Sequence, residues 1–269
     1  KVVAGLPATA PTKSTELRAT RDLLIRNLTH VVKLPDACIE PLVCALVAGG
    51  HILVEGIPGI GKTLLARTLS ACIDGSFRRI QFTNDLMPSD VIGTSVWQQD
   101  SSSFTFVHGP LFANLVLADE INRTSPRTLS CLLEAMENGR VSIDGREEEL
   151  GRPFTVLATR NPTEFHGTFP IPEAALDRFL VRIELDYPTP DFELALYTGS
   201  DAEARLAEVT PVMNPEDLLA LQAETAKVHV REPVAEYALR VVQATRNHPD
   251  VQLGASPRAA LAWLKVARA

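Results

Sequence analysis

The chain has 269 residues, room for one large domain or two ordinary ones, and 45 % of them are hydrophobic, as in a water-soluble globular fold. A formal charge of −7 and a pI near 5.4 argue against a general nucleic-acid binder. No apolar run approaches a membrane span, no signal-peptide pattern opens the chain, and the four cysteines (Cys38, Cys44, Cys72, Cys131) form no C-x-x-C pair, so the expectation is a cytoplasmic protein with reduced thiols.

Residues 1–14 are rich in Pro, Ala and Thr and read as a loose arm. Leu17, Leu24, Leu28 and Val31 repeat at helical spacing and predict a helix over 16–33; a second helix over 36–48 ends at Gly49-Gly50. Five apolar strand candidates follow, at 51–55, 78–83, 114–119, 154–158 and 180–185, with helices between them at 62–72 and 126–137. This alternation predicts a parallel five-stranded sheet covered on both faces, with ligands outside the carboxyl ends of the strands. Two hairpins interrupt it: 91–106, with the polar centre Asp100-Ser101-Ser102-Ser103, and 141–150, with Asp144-Gly145 as its turn. Beyond 188 the character changes. Thr189-Pro190, Asn214-Pro215 and Ser256-Pro257 each place a capping residue before Pro at the first helical position. Leu218, Leu221, Thr225 and Val228 share one helical face, as do Val234, Tyr237, Ala238 and Val241. Residues 15–188 therefore read as an α/β domain and 189–269 as a small all-helical domain.

Gly56-Ile57-Pro58-Gly59-Ile60-Gly61-Lys62-Thr63, between the first strand and a helix beginning with Leu64, fits the phosphate-loop pattern G-x-x-x-x-G-K-[ST]. Glycines let the backbone turn tightly and aim N–H groups at phosphate oxygens, and the helix start adds partial positive charge. Lys62 would reach the β/γ-phosphates and the Thr63 hydroxyl would hold Mg²⁺.

Leu115-Val116-Leu117-Ala118-Asp119-Glu120 is an apolar strand ending in two acids, suited to a second nucleotide motif in which Asp119 holds Mg²⁺ and Glu120 deprotonates the attacking water. Asn161, at the carboxyl end of the strand around 154–158, touches the γ-phosphate, positions the water beside Glu120, or simply makes the turn before Pro162; spacing does not choose. Arg178 and Arg258 are each either a phosphate-charge stabiliser or a surface cation.

The chain resembles AAA+ ATPases, and within them the MoxR family. The resemblance is carried by Glu55–Thr63, by 81–90, by Gly109-Pro110-Leu111-Phe112-Ala113-Asn114 running into Asp119-Glu120-Ile121-Asn122-Arg123, by Leu132-Leu133-Glu134-Ala135-Met136, by Asn161-Pro162, by Leu176-Asp177-Arg178-Phe179 and by Gly254-Ala255-Ser256-Pro257-Arg258-Ala259. It implies that Asn161 is the sensor 1 residue, that Arg178 is an arginine finger acting on a neighbour's nucleotide, and that Arg258 is sensor 2, reaching from the lid to the bound γ-phosphate, with ATP between the two domains. The hairpins resemble the clade's insertions in the second helix and before sensor 1. The family further implies ATP and Mg²⁺, a hexameric ring, von Willebrand factor A domain partners and client enzymes that are matured. Arg160 and 163–166 depart from the family pattern, so His166 carries no transferable role, and the family's lid continues beyond the point matched by Ala269, which implies a truncated lid. Two rivals remain: a DNA-directed motor, disfavoured because 91–106 holds no Lys or Arg, and a nucleotide-switched scaffold, disfavoured by the pair Asp119-Glu120.

Overall fold

A computed structural model describes residues 13–32, 34–143, 145–162, 167–187, 190–198 and 201–269. Most of the expected arm, the Thr189 cap, Asp144 of the second turn and 163–166 lie outside these. Lys13 and Ser14, read as arm, begin the first helix, α1 (Lys13–Val31), which is followed by α2 (Asp36–Val47).

The five expected strands form one parallel sheet. In chain order they are β1 (Ile52–Gly56), β2 (Phe77–Gln81), β5 (Leu115–Asp119), β8 (Thr155–Arg160) and β9 (Val181–Leu185), arranged β2-β5-β8-β1-β9. Neighbouring residues along a strand face opposite sides, and the cores show that parity. Ile52, Val54, Leu115, Leu117, Leu157, Ile183 and Leu185 pack with α1, α2 and α3 (Lys62–Ile73). Leu53, Val116, Ala118, Val156 and Ala158 pack on the other side with α4 (Pro88–Ile92) and α5 (Pro126–Asn138). Burial on both faces is why these strands read as continuous apolar runs rather than alternating ones.

Both hairpins are present. β3 (Gly93–Gln98) pairs with β4 (Ser103–His108), and the turn between them bends at Ser102, whose φ is 46°. β6 (Arg140–Ile143) pairs with β7 (Arg146–Glu149) and is anchored by fully buried Val141. Phe106 of the first hairpin packs against the core, whereas Trp97 and Phe104 meet edge-to-face at 5.1 Å and both stay at least half exposed.

The remaining helices are the short α6 (Glu173–Leu176), then α7 (Pro190–Tyr197), α8 (Ala202–Ala207), α9 (Pro215–Ala226), α10 (Glu232–Asn247) and α11 (Pro257–Arg268). Asn214 and Ser256 cap α9 and α11 as expected, each accepting from a backbone N–H three residues on. The buried face of α10 meets the expectation only in part. Ala238 and Val242 are inside, whereas Val234 and Tyr237 are exposed.

The helical region docks beneath the amino ends of the strands. Gln222 on α9 donates to Leu46 O, Lys265 on α11 donates to Gly49 O, and Val212 N–H donates to Cys72 O at the far end of α3. Among the described residues no helix is long and apolar enough to cross a membrane. The four cysteines are free, and only Cys72 is fully buried; burial pushes its thiol up to about 11.

Candidate nucleotide site

Gly56 ends β1 with no space for a side chain. A Cβ there would lie 2.3 Å from Ile60 Cδ1 and 2.7 Å from Leu185 O. Gly59 and Gly61 turn the chain with φ of 86° and 92°, in the left-handed region that other residues enter at a cost. Ile57 is half-buried, Pro58 and Gly59 are exposed, and Ile60 and Leu64 pack against the core below, fixing the loop to the sheet. Lys62, Thr63 and Leu64 form the first turn of α3, where amides have no carbonyl four residues back within the helix. Lys62 is buried with Nζ 2.6 Å from Gly56 O, so its ammonium spans the mouth of the loop. Convergent amides, a cation and a helix start make this cradle an anion site.

The two acids occupy the strand end two places along. Asp119 is buried; its Oδ1 accepts the Thr159 hydroxyl at 2.5 Å, and its Oδ2 accepts Arg79 Nη2 and Nε at 2.7 and 3.2 Å. Thr159 Oγ1 in turn accepts the Glu120 backbone N–H at 2.9 Å. Glu120 has φ 57°, an uncommon conformation for a residue with a side chain, and it opens the short 3₁₀ turn Ile121–Arg123. Its carboxylate accepts from Gln81 Nε2 and Arg123 Nη1, each at 3.1 Å, which aims the base. Asn161, buried, follows β8, and β8 lies between the strands carrying the phosphate loop and the acids. The Asn122 amide donates to its carbonyl at 3.4 Å. The oxygens of Thr63 and Asp119 are the donor chemistry that Mg²⁺ takes.

Several of these contacts were not read from the sequence. Arg79 and Gln81 sit exposed on the edge strand β2. Glu55 on β1 is buried between two cations, Arg160 Nε and Arg182 Nη2, each 2.9 Å from one of its oxygens. The Arg160 approach is an ion pair without hydrogen-bond alignment. A charged residue inside an otherwise apolar strand was the available signal. Glu55 and Arg160 adjoin the phosphate loop and Asn161, so this pair braces the two functional loops against each other.

Arg178 and Arg258 are not at the phosphate loop. Arg178 precedes β9, and Arg258 starts α11. Both bind Glu137 at the end of α5: Arg178 with Nε and Nη2 on Oε2 at 3.2 and 3.0 Å, Arg258 with Nη2 on Oε1 at 2.6 Å. The Arg258 and Arg178 guanidiniums hold the Glu137 carboxyl below the usual carboxylate range. Ser256 fastens the start of α11 to Asp177 at 3.0 Å. Close by, His51 is buried and neutral. Its Nδ1 accepts from Val156 N–H at 3.0 Å, its Nε2 donates to Met136 O at 2.9 Å, and burial pushes it down to about 4. Gly49, Gly50 and His51 precede β1, whereas the phosphate loop follows it, and a five-residue strand spans about 16 Å. The structure thus places Arg258 on Glu137 at the amino ends of the strands, away from the phosphate loop of its own chain. The caps and contacts of α9 and α11 seat the lid at the opposite end of the sheet.

The fold and these loops define a phosphate-loop nucleotide-binding protein, with a helical subdomain. A sequence profile described as the ATPase family associated with various cellular activities matches residues 51–181, and an AAA lid domain profile matches 243–269. The uncharacterized protein YeaC of Bacillus subtilis is 48 % identical over 225 residues, covering 84 % of this chain and 70 % of YeaC. Chaperone MoxR1 of Mycobacterium tuberculosis is 39 % identical over 258 residues, covering 93 % of this chain and 68 % of its own. A crystal structure of a Cytophaga hutchinsonii protein superposes with a TM-score of 0.81 at 36 % identity, over 95 % of this chain and 81 % of that one. The chain belongs to the MoxR family of AAA+ ATPases. It is accordingly a nucleotide-binding, chaperone-like ATPase.

Proposed function

We propose that this ATPase works as a ring in which each site is completed by the neighbouring copy, and that it spends hydrolysis on remodelling partner proteins. One observation carries the reading: the phosphate loop, Asp119 and Glu120 are at the carboxyl ends of the strands, whereas Arg178 and Arg258 share Glu137 at the amino ends. Two arginines held on one carboxylate, far from their own loop, suit a phosphate supplied by another chain. In the proposed site the loop amides and Lys62 hold the β/γ-phosphates, and Thr63 and Asp119 hold Mg²⁺. The metal, when bound, neutralises charge on the phosphate oxygens. Glu120 takes the proton from water, Asn161 orients that water or the γ-phosphate, and the partner copy's arginines stabilise the charge that develops. Partners carrying von Willebrand factor A domains, client enzymes, a six-membered ring and a cytoplasmic setting belong to this same proposal, as what the family resemblance implies.

The test mixes two inactive variants, Glu120→Gln and Arg178→Ala. A 1:1 mixture regains about a quarter of the wild-type rate if one chain supplies the acid and its neighbour the arginine, because a random ring pairs them correctly at about one interface in four. No recovery, with both variants assembling normally, means that each chain hydrolyses ATP alone or not at all.

A further inference from the structure

Asp119 is engaged on both of its carboxylate oxygens. Arg79 lies on the edge strand β2, two residues before Gln81, which pairs in register with Asp119. Side chains at 79 and 81 point to the same face as 117 and 119, the face on which α3 and the phosphate loop sit. The guanidinium forks onto a single oxygen, Oδ2, with Nη2 at 2.7 Å and Nε at 3.2 Å, and its second anchor is Gln81 Oε1 at 2.7 Å. A carboxylate oxygen has two lone pairs, so Oδ2 is saturated. Oδ1 already accepts the Thr159 hydroxyl at 2.5 Å. Asp119 is 9 % exposed and Arg79 48 %, so the carboxylate is sequestered while its partner is free to swing outward.

We propose that Arg79 is the resident counter-cation of Asp119 and competes with the divalent metal for it, so that an edge-strand side chain sets the metal concentration at which nucleotide is held. The proposal rests on the nucleotide site described above. A divalent ion placed on Asp119 would lie within a few ångströms of a guanidinium, and the two like charges exclude one another unless Arg79 leaves. Departure is feasible because the side chain is half in solvent and can move to water or to a phosphate oxygen.

The experiment titrates Mg²⁺ against binding of a fluorescent ADP analogue by the intact chain, starting from EDTA, for the wild type, Arg79→Gln and Arg79→Lys, with thermal melting to establish folding. The expected result is a half-effect Mg²⁺ concentration lowered roughly five- to tenfold in Arg79→Gln, the scale of one charge-assisted contact at a partly exposed site, with the affinity in EDTA unchanged. Arg79→Lys, which keeps the charge and loses the fork, falls between. An unchanged or raised half-effect concentration in a folded Arg79→Gln overturns the proposal and leaves Arg79 as a structural counter-charge. If Arg79→Gln does not fold, Arg79→Lys decides, by a drop of about twofold or more against none. A wild type that binds no nucleotide at any Mg²⁺ concentration sinks the nucleotide-site reading itself, and so is distinguished from failure of this inference alone.

Discussion

Thr159 shows how one hydroxyl can organise a site: it donates to Asp119 and accepts from the Glu120 amide. Thr159→Val keeps the shape and strands both groups, so we expect a loss of about 1–3 kcal/mol in stability by chemical denaturation. Glu120→Gln is expected to keep nucleotide affinity while phosphate release falls by about 10² to 10⁴, measured in the same preparation. His51 gives a pH prediction. Its folded value near 4 is below the ordinary 6.5, so the unfolded chain binds the proton more readily. The His51 contribution is whole above pH 6.5 and is lost as the pH falls toward 4, to a total of about 3 kcal/mol. Denaturation of the wild type and His51→Asn at pH 7 and pH 5 checks this. The variant starts weaker, and its stability should drop less between the two.

Among the elements, β1 and β8 are tied by Glu55 and Arg160 as well as by their ladder. Arg160→Leu removes one of two cations beside a buried carboxylate. The expected cost is about 2–3 kcal/mol, less than for a fully buried pair because Arg182 remains at 53 % exposure. The hairpin β3–β4 presents Trp97 and Phe104 to solvent, the amphipathic aromatic surface that recurs at protein interfaces. Deleting 98–104 should spare nucleotide binding and abolish coupling to a partner. Intact partner binding and remodelling after the deletion would show that the hairpin is not the contact.

For the whole molecule, the position of the lid is decisive. If Arg258 serves the neighbour, Arg258→Ala mixed with Glu120→Gln recovers activity as the Arg178→Ala mixture does. If it serves its own chain, that mixture stays inactive, because every site then lacks one group. ATP turnover per subunit should also climb with protein concentration and lose that climb in Arg178→Ala, as read by a phosphate-release assay across a dilution series.

The sequence by itself determined the parallel sheet, the phosphate loop and the paired acids. Unbroken apolar runs ending in Gly56-Ile57-Pro58 and Asp119-Glu120 are local patterns with local physical causes. It also held both hairpins, since turn residues between alternating strands act over a few positions. Only the tertiary structure decided what meets across the sheet. Arg79 on Asp119, Arg160 on Glu55, and Arg178 with Arg258 on Glu137 join residues 40, 105, 41 and 121 positions apart. No periodicity encodes such pairs. On α10 the expected face is inside only in part: Ala238 is buried, whereas Val234 and Tyr237, apolar by composition, stay exposed and Val242 is buried as well. The lid's seat beneath the strands was hidden for the same reason: helix faces and caps predict that helices form, and only the surfaces they bury fix where they dock.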